Sequence, residues 1–147
     1  GWRSKMKKTE LKRTTFKHIE SEIYSYHDYK KRIKEVRDEI INGKRDYDEN
    51  VGQGANSVRE PGRPTEKMAI MLVTDKKLQH YENVISAVDR AFSLLNEDQQ
   101  KVISVRYWGD RHLNWEGVAM KCNVHRNTAL KYRKQFVNLV ANFLGWE

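Results

Sequence analysis

The chain has 147 residues, a third of them charged, with a formal net charge of +8 and a mean hydropathy of -0.88. That allows one domain, or a small core with a helical extension, and it excludes a thick apolar interior. No apolar run reaches the roughly 18 residues of a membrane span, aromatic residues at 10% argue against disorder, and the single cysteine, Cys122, excludes an intrachain disulfide and points to a reducing, cytoplasmic compartment.

No signal-peptide pattern opens the sequence, and Met6, followed by Lys7 and Lys8, is expected to be the native start. Charge is unevenly spread, at +7 over residues 1–45, -2 over 46–95 and +3 over 96–147. A basic balance favours a polyanionic partner but does not identify one.

From Thr9 to Asn42 the pattern predicts one long helix. Phe16, Ile19, Ile23, Tyr26, Ile33, Val36 and Ile40 fall at helical steps, and Gly43 stands where a terminator belongs. Its Lys- and Arg-rich outer face reads first as solvated surface, with a second nucleic-acid surface as the alternative. Residues 43–64, with Gly52, Gly54, Pro61, Gly62 and Pro64, are expected to be a loop. Gly52-Gln53-Gly54 has no preceding strand and no following Gly-Lys-Ser/Thr, so it is no phosphate-binding loop.

A second long helix is expected from Thr65 to Leu95. Leu78, Tyr81, Ile85, Val88, Phe92 and Leu95 make a seam that would pack on the first helix as an antiparallel hairpin. Two chains sharing the seam in a homo-oligomer is an equal alternative. Asn96 then caps a new helix whose first turn holds Glu97 and Asp98, whose apolar side holds Val102, Ile103 and Val105, and which ends at Trp108-Gly109-Asp110.

Trp115 to Lys134 carries the functional signal. In a helix-turn-helix, two short helices cross steeply, so certain positions must be small or apolar. Ala119 suits the close approach, Val118 points to the core, Cys122 closes the first helix as a core filler, and Asn123 suits a turn that needs φ > 0. Val124 packs under the turn, and Ala129 and Tyr132 anchor the second helix. Arg126, Asn127, Leu130, Lys131 and Lys134 then form one outward stripe, with His125 and Thr128 at its start and Arg133 at its margin. Arg suits guanine and Asn suits adenine, whereas Lys131, Lys134 and Arg133 suit phosphates. Trp108 and Trp115 are expected to wedge helices rather than stack on bases.

The expected fold class is therefore all-α: a long helical region over residues 6–95, then a DNA-binding domain over 96–147. Neither the five His with Cys122 nor the Asp and Glu residues show metal-ligand or nuclease spacing, so no enzyme activity, metal or cofactor is expected.

Leu95 to Leu144, above all "NWEGVAMKCNVHRNTALKYRKQF" with the preceding Tyr107-Trp108, resembles the C-terminal part of the ArpU/RinA-like phage transcriptional regulators. The two long helices and the loop resemble that family's layout from Met6 onward. The resemblance implies a sigma-like helix-turn-helix and a phage or prophage activator of late packaging, structural and lysis genes. It also implies double-stranded DNA, and host RNA polymerase, as partners in a bacterial cytoplasm. His125 departs from the Ser or Thr that often caps the second helix, which makes that cap weaker. Two other classes compete: a DNA-packaging protein of small-terminase type, and a helical interaction protein with no nucleic-acid role.

Overall fold

The structure, a computed structural model, describes residues 10–51, 63–110 and 112–146, with the backbone alone for 43–51 and 63–65. Every regular element among them is helical. In chain order these are α1 (Arg13–Tyr24), α2 (Tyr26–Val51), α3 (Arg63–Ser93), α4 (Glu97–Ile103), a widened π turn (Ser104–Trp108), α5 (Trp115–Cys122) and α6 (Arg126–Leu144). No helix among the described residues is long and apolar enough to cross a membrane.

The single first helix expected from periodicity is two. The chain breaks at Ser25, whose amide is shared among carbonyls of the preceding turn and whose hydroxyl donates to the Ser21 carbonyl at 3.1 Å. A Ser bonded back to the i−4 carbonyl bends a helix, and here it separates α1 from α2. Gly43 does not terminate α2, which continues to Val51. A helical glycine costs only about 1 kcal/mol, and no proline stands nearby to force a stop. Of the expected loop, residues 52–62 lie outside the described residues, Gly52-Gln53-Gly54 included. Pro64 falls in the first turn of α3, where its missing N–H leaves no bond unmade.

The chain divides into two compact units: residues up to Tyr26 with those from Asn83 onward, and His27–Glu82. In the first unit, Ile19 and Ile23 of α1, Val84, Val88 and Ala91 of α3, Val102 and Ile103 of α4, and Phe136, Val137 and Val140 of α6 are all buried. On α3 the deepest residues are Val84, Ala87, Val88 and Ala91, whereas Ile85 and Phe92 of the expected seam are half-buried. The small Ala side chains let neighbouring backbones approach, which draws that side of the helix inward.

Around this core Tyr107 meets Tyr24 edge-on at 4.9 Å, and Trp108 lies 5.1 Å from Tyr26 and 5.6 Å from Phe92 between ring centroids. The Trp108 Nε1–H donates to the Ile23 carbonyl at 3.0 Å. Burying each large apolar side chain contributes about 1.5–3 kcal/mol, so this unit holds most of the apolar driving force.

In the second unit, Tyr29 stacks on Tyr81 with centroids 4.4 Å apart, and Arg32 donates to the Tyr81 hydroxyl at 3.4 Å. Arg37 pairs with Glu82 at 3.1 Å, with both side chains more than half exposed. Ile33 is its one buried large hydrophobic residue among the described residues, while Met68, Ile70, Met71, Leu72 and Val73 are exposed.

Candidate nucleic-acid interface

Local sequence sets each boundary of the last three helices. Asn96 and Gln99 form a reciprocal capping box at the start of α4, with both bonds at 2.9 Å. The π turn that follows ends at Gly109, where a Cβ would lie 2.7 Å from the Val105 carbonyl oxygen. Only glycine fits that approach. Asn114 caps α5 by accepting from the Gly117 N–H at 2.8 Å.

Asn123 ends α5 at φ 57°, ψ 44°, the only non-glycine positive φ among the described residues. The Asn123 N–H donates to the Met120 carbonyl at 3.2 Å and the Val124 N–H to the Ala119 carbonyl at 3.0 Å. These two bonds make the six-to-one and five-to-two closure of a Schellman turn. Its apolar clasp is present too: Val124 and Tyr132 pack on the buried cluster of Val102, Val118, Ala119, Cys122 and Ala129. Burial pushes the Cys122 thiol up from its ordinary value, which suits a filler and not a nucleophile.

His125 begins α6 in extended backbone, and its Nδ1 accepts from the Asn127 N–H at 3.1 Å. The imidazole thus does the work of the hydroxyl that would ordinarily stand there. From that start Arg126, Asn127, Lys131 and Lys134 are exposed, as is His125, while Thr128 and Leu130 are half-buried. Ala129, Phe136, Val137 and Val140 hold the opposite side of the helix in the core. The structure therefore gathers four exposed polar and basic side chains on one face, with no acidic residue in the helix.

Arg133 stands apart from that face. Its Nη2 and Nε donate to the two carboxylate oxygens of Glu20 at 2.7 and 2.8 Å, and Tyr107 Oη donates to the same carboxylate at 2.6 Å. The guanidinium also lies over the rings of Phe16, at 5.0 Å, and Trp115, at 5.3 Å. Glu20 holds the Arg133 pKa above its ordinary value, and burial, with the negative carboxylate beside it, raises the Tyr107 phenol well above 10. So the charge expected at the margin for a phosphate instead joins α6 to α1. The sequence carries a sign of this: Glu20 is an acid lying beside the buried stripe of Ile19 and Ile23, a position that requires a buried partner.

Two further placements have no counterpart in the sequence pattern. Arg106 lies over Trp115 at 4.7 Å and donates to the Leu113 carbonyl at 2.9 Å, which fixes the loop before α5. Lys134 reaches Glu10, just before α1, at 2.9 Å and lowers that carboxyl's pKa. Both pairs are formed between residues far apart in sequence or within a loop, where periodicity gives no signal. Among the described residues no group of three or more His, Cys, Asp or Glu is placed to hold a metal.

The geometry defines an all-helical protein whose last helix displays a basic, acid-free face. The family described as a protein of unknown function (DUF722) matches residues 17–142, and the chain belongs to that family. No curated protein and no solved structure matches it.

Proposed function

We propose that the chain is a sequence-specific, double-stranded-DNA-binding transcriptional regulator. In this reading α5, the Asn123 turn and α6 act as a helix-turn-helix, and α6 enters the major groove. The observation that carries it is the left-handed Asn123 turn followed by the outward Arg126, Asn127, Lys131 and Lys134. Arg126 and Asn127 near the helix start suit base edges, and the lysines suit phosphates. The resemblance of Leu95–Leu144 to phage late-operon activators adds the expected setting, with host RNA polymerase as a further partner. A packaging protein of small-terminase type is the second reading, favoured by exposed Met68, Ile70 and Met71, which a ring of subunits would cover. A ring mass in light scattering would select it.

Selection of bound duplexes from a random pool tests the leading reading, and an enriched site is the expected result. Arg126→Ala or Asn127→Ala should then cost about 1–3 kcal/mol on that site and relax its sequence, while Lys131→Ala should weaken all duplexes alike. Failure to enrich any sequence, or variants that bind the site as the parent does, would remove α6 as the reading helix.

A further inference from the structure

The exposed stripe of α6 continues beyond the residues placed for base reading. One turn after Leu130 it meets an open groove of about 370 Å3, lined among others by Glu10, Arg13, Phe16, Lys17, Lys134 and Asn138. Asn138 follows Lys134 at i+4, so the groove lies on the prolongation of the same helix face. Its cations are not equivalent. Arg133, at the floor, is neutralised by Glu20, with side chains 30% and 10% exposed. Arg13 and Lys17 stand one helical turn apart on α1, exposed, and form no ion pair with an acid among the described residues. Lys134 holds the Glu10 carboxylate at 2.9 Å, with both side chains more than half exposed.

We propose that this groove seats a backbone phosphate of the bound duplex between Arg13, Lys17 and Lys134, and that Glu10 occupies Lys134 as a carboxylate stand-in until DNA displaces it. The proposal rests on the DNA-binding reading and adds α1 to the contact surface. Three long cations around an open groove suit a phosphodiester, which takes charge from any direction, better than a base edge, which needs paired donors and acceptors in plane. The exchange costs little. An exposed ammonium–carboxylate pair is weak because solvent screens it, and a phosphate supported by two further cations replaces it with a net gain. Glu10 thereby lowers affinity for every duplex and has no influence on which sequence is chosen.

The test uses the full chain and one duplex, with the salt dependence of binding as readout. Arg13→Gln with Lys17→Gln should flatten the slope of log K against log salt by up to about 0.9, the value for the one backbone phosphate seated in the groove, for specific and random duplexes alike. Glu10→Gln should tighten both about two- to fivefold, the range an exposed pair allows. Lys76→Gln with Lys77→Gln removes the same net charge outside the groove and should leave the slope in place. The groove proposal is overturned alone if the parent binds DNA and the Arg13/Lys17 variant keeps its slope. It is likewise overturned if the Lys76/Lys77 variant flattens the slope equally, since the effect would then be one of overall charge. A parent that binds no duplex at low salt overturns the DNA reading and this proposal together.

Discussion

The two compact units are made from the same kind of amphipathic helix yet are held together differently. In the unit of α1, the end of α3 and α4–α6, apolar stripes from five helices meet, and of the two buried carboxylates of α1, Glu20 and Glu22, Glu20 is satisfied by both Arg133 and Tyr107. In residues 27–82, two helices share a Tyr29–Tyr81 stack and an exposed Arg37–Glu82 pair, with Ile33 as the buried anchor. Two helices enclose little volume. Their apolar residues can meet only along one line, and the consecutive run Met68–Val73 necessarily points some side chains outward. The difference shows that helix periodicity measures the capacity to bury a face, while the number of neighbouring helices decides whether that face is buried.

Substitutions can break or sharpen this contrast. The largest effect is expected at Glu20. Glu20→Ala leaves the Arg133 guanidinium and the Tyr107 hydroxyl without their shared acceptor and should destabilise the chain by about 3 kcal/mol in denaturant unfolding. Combining Glu20→Leu with Arg133→Met should cost less than Glu20→Ala alone, because no uncompensated charge remains. If the double variant is worse, the pair is a net source of stability beyond avoiding an orphan charge.

Next comes Gly109→Ala, which places a methyl 2.7 Å from a backbone oxygen that cannot rotate away. A loss of about 2 kcal/mol is expected, with the thermal midpoint as readout. An unchanged midpoint would mean that the π turn opens freely. A smaller, pH-dependent effect belongs to Tyr107. Its folded-state pKa is raised, so its contribution is complete below pH 10 and is lost as pH rises above it, where the unfolded chain ionises first. Tyr107→Phe should therefore lower stability at neutral pH and reduce its decline above about pH 10, as followed by urea titration. The smallest effect is expected for Met71→Glu with Leu72→Glu, each side chain more than half exposed, at within about 0.5 kcal/mol for the folding of the separate chain. A large loss at those two positions would show that the chain buries them when it folds.

Much of the local structure was legible in the sequence, because it is governed by interactions within one turn of helix. Asn96 caps α4, Asn123 takes the left-handed conformation, and Ala119, Val118 and Cys122 are buried. The break at Ser25 was not legible, since a hydroxyl bond to Ser21 competes with an otherwise unbroken periodicity. Nor was the place of α1. Ile19 and Ile23 announced a buried face, but not that Tyr107, Trp108 and Arg133 would lie against it. At the candidate interface, spacing identified which side chains share a stripe, and the structure supplied what spacing lacks: an exposed Lys134 already engaged by Glu10, and an Arg133 withdrawn to Glu20.

The bond between Glu20 and Arg133 spans 113 residues, and this has a bearing on how the protein is made. During synthesis at roughly 5–20 residues per second, the first helix must wait on the order of ten seconds for its partner to emerge. Through that interval Ile19 and Ile23 have no α6 to cover them. The unit that holds the candidate interface is thus completed only once α6 has been synthesised, and ribosome-arrested chains stopped before Arg133 should be cut by protease within α1 while those carried well past Leu144 resist.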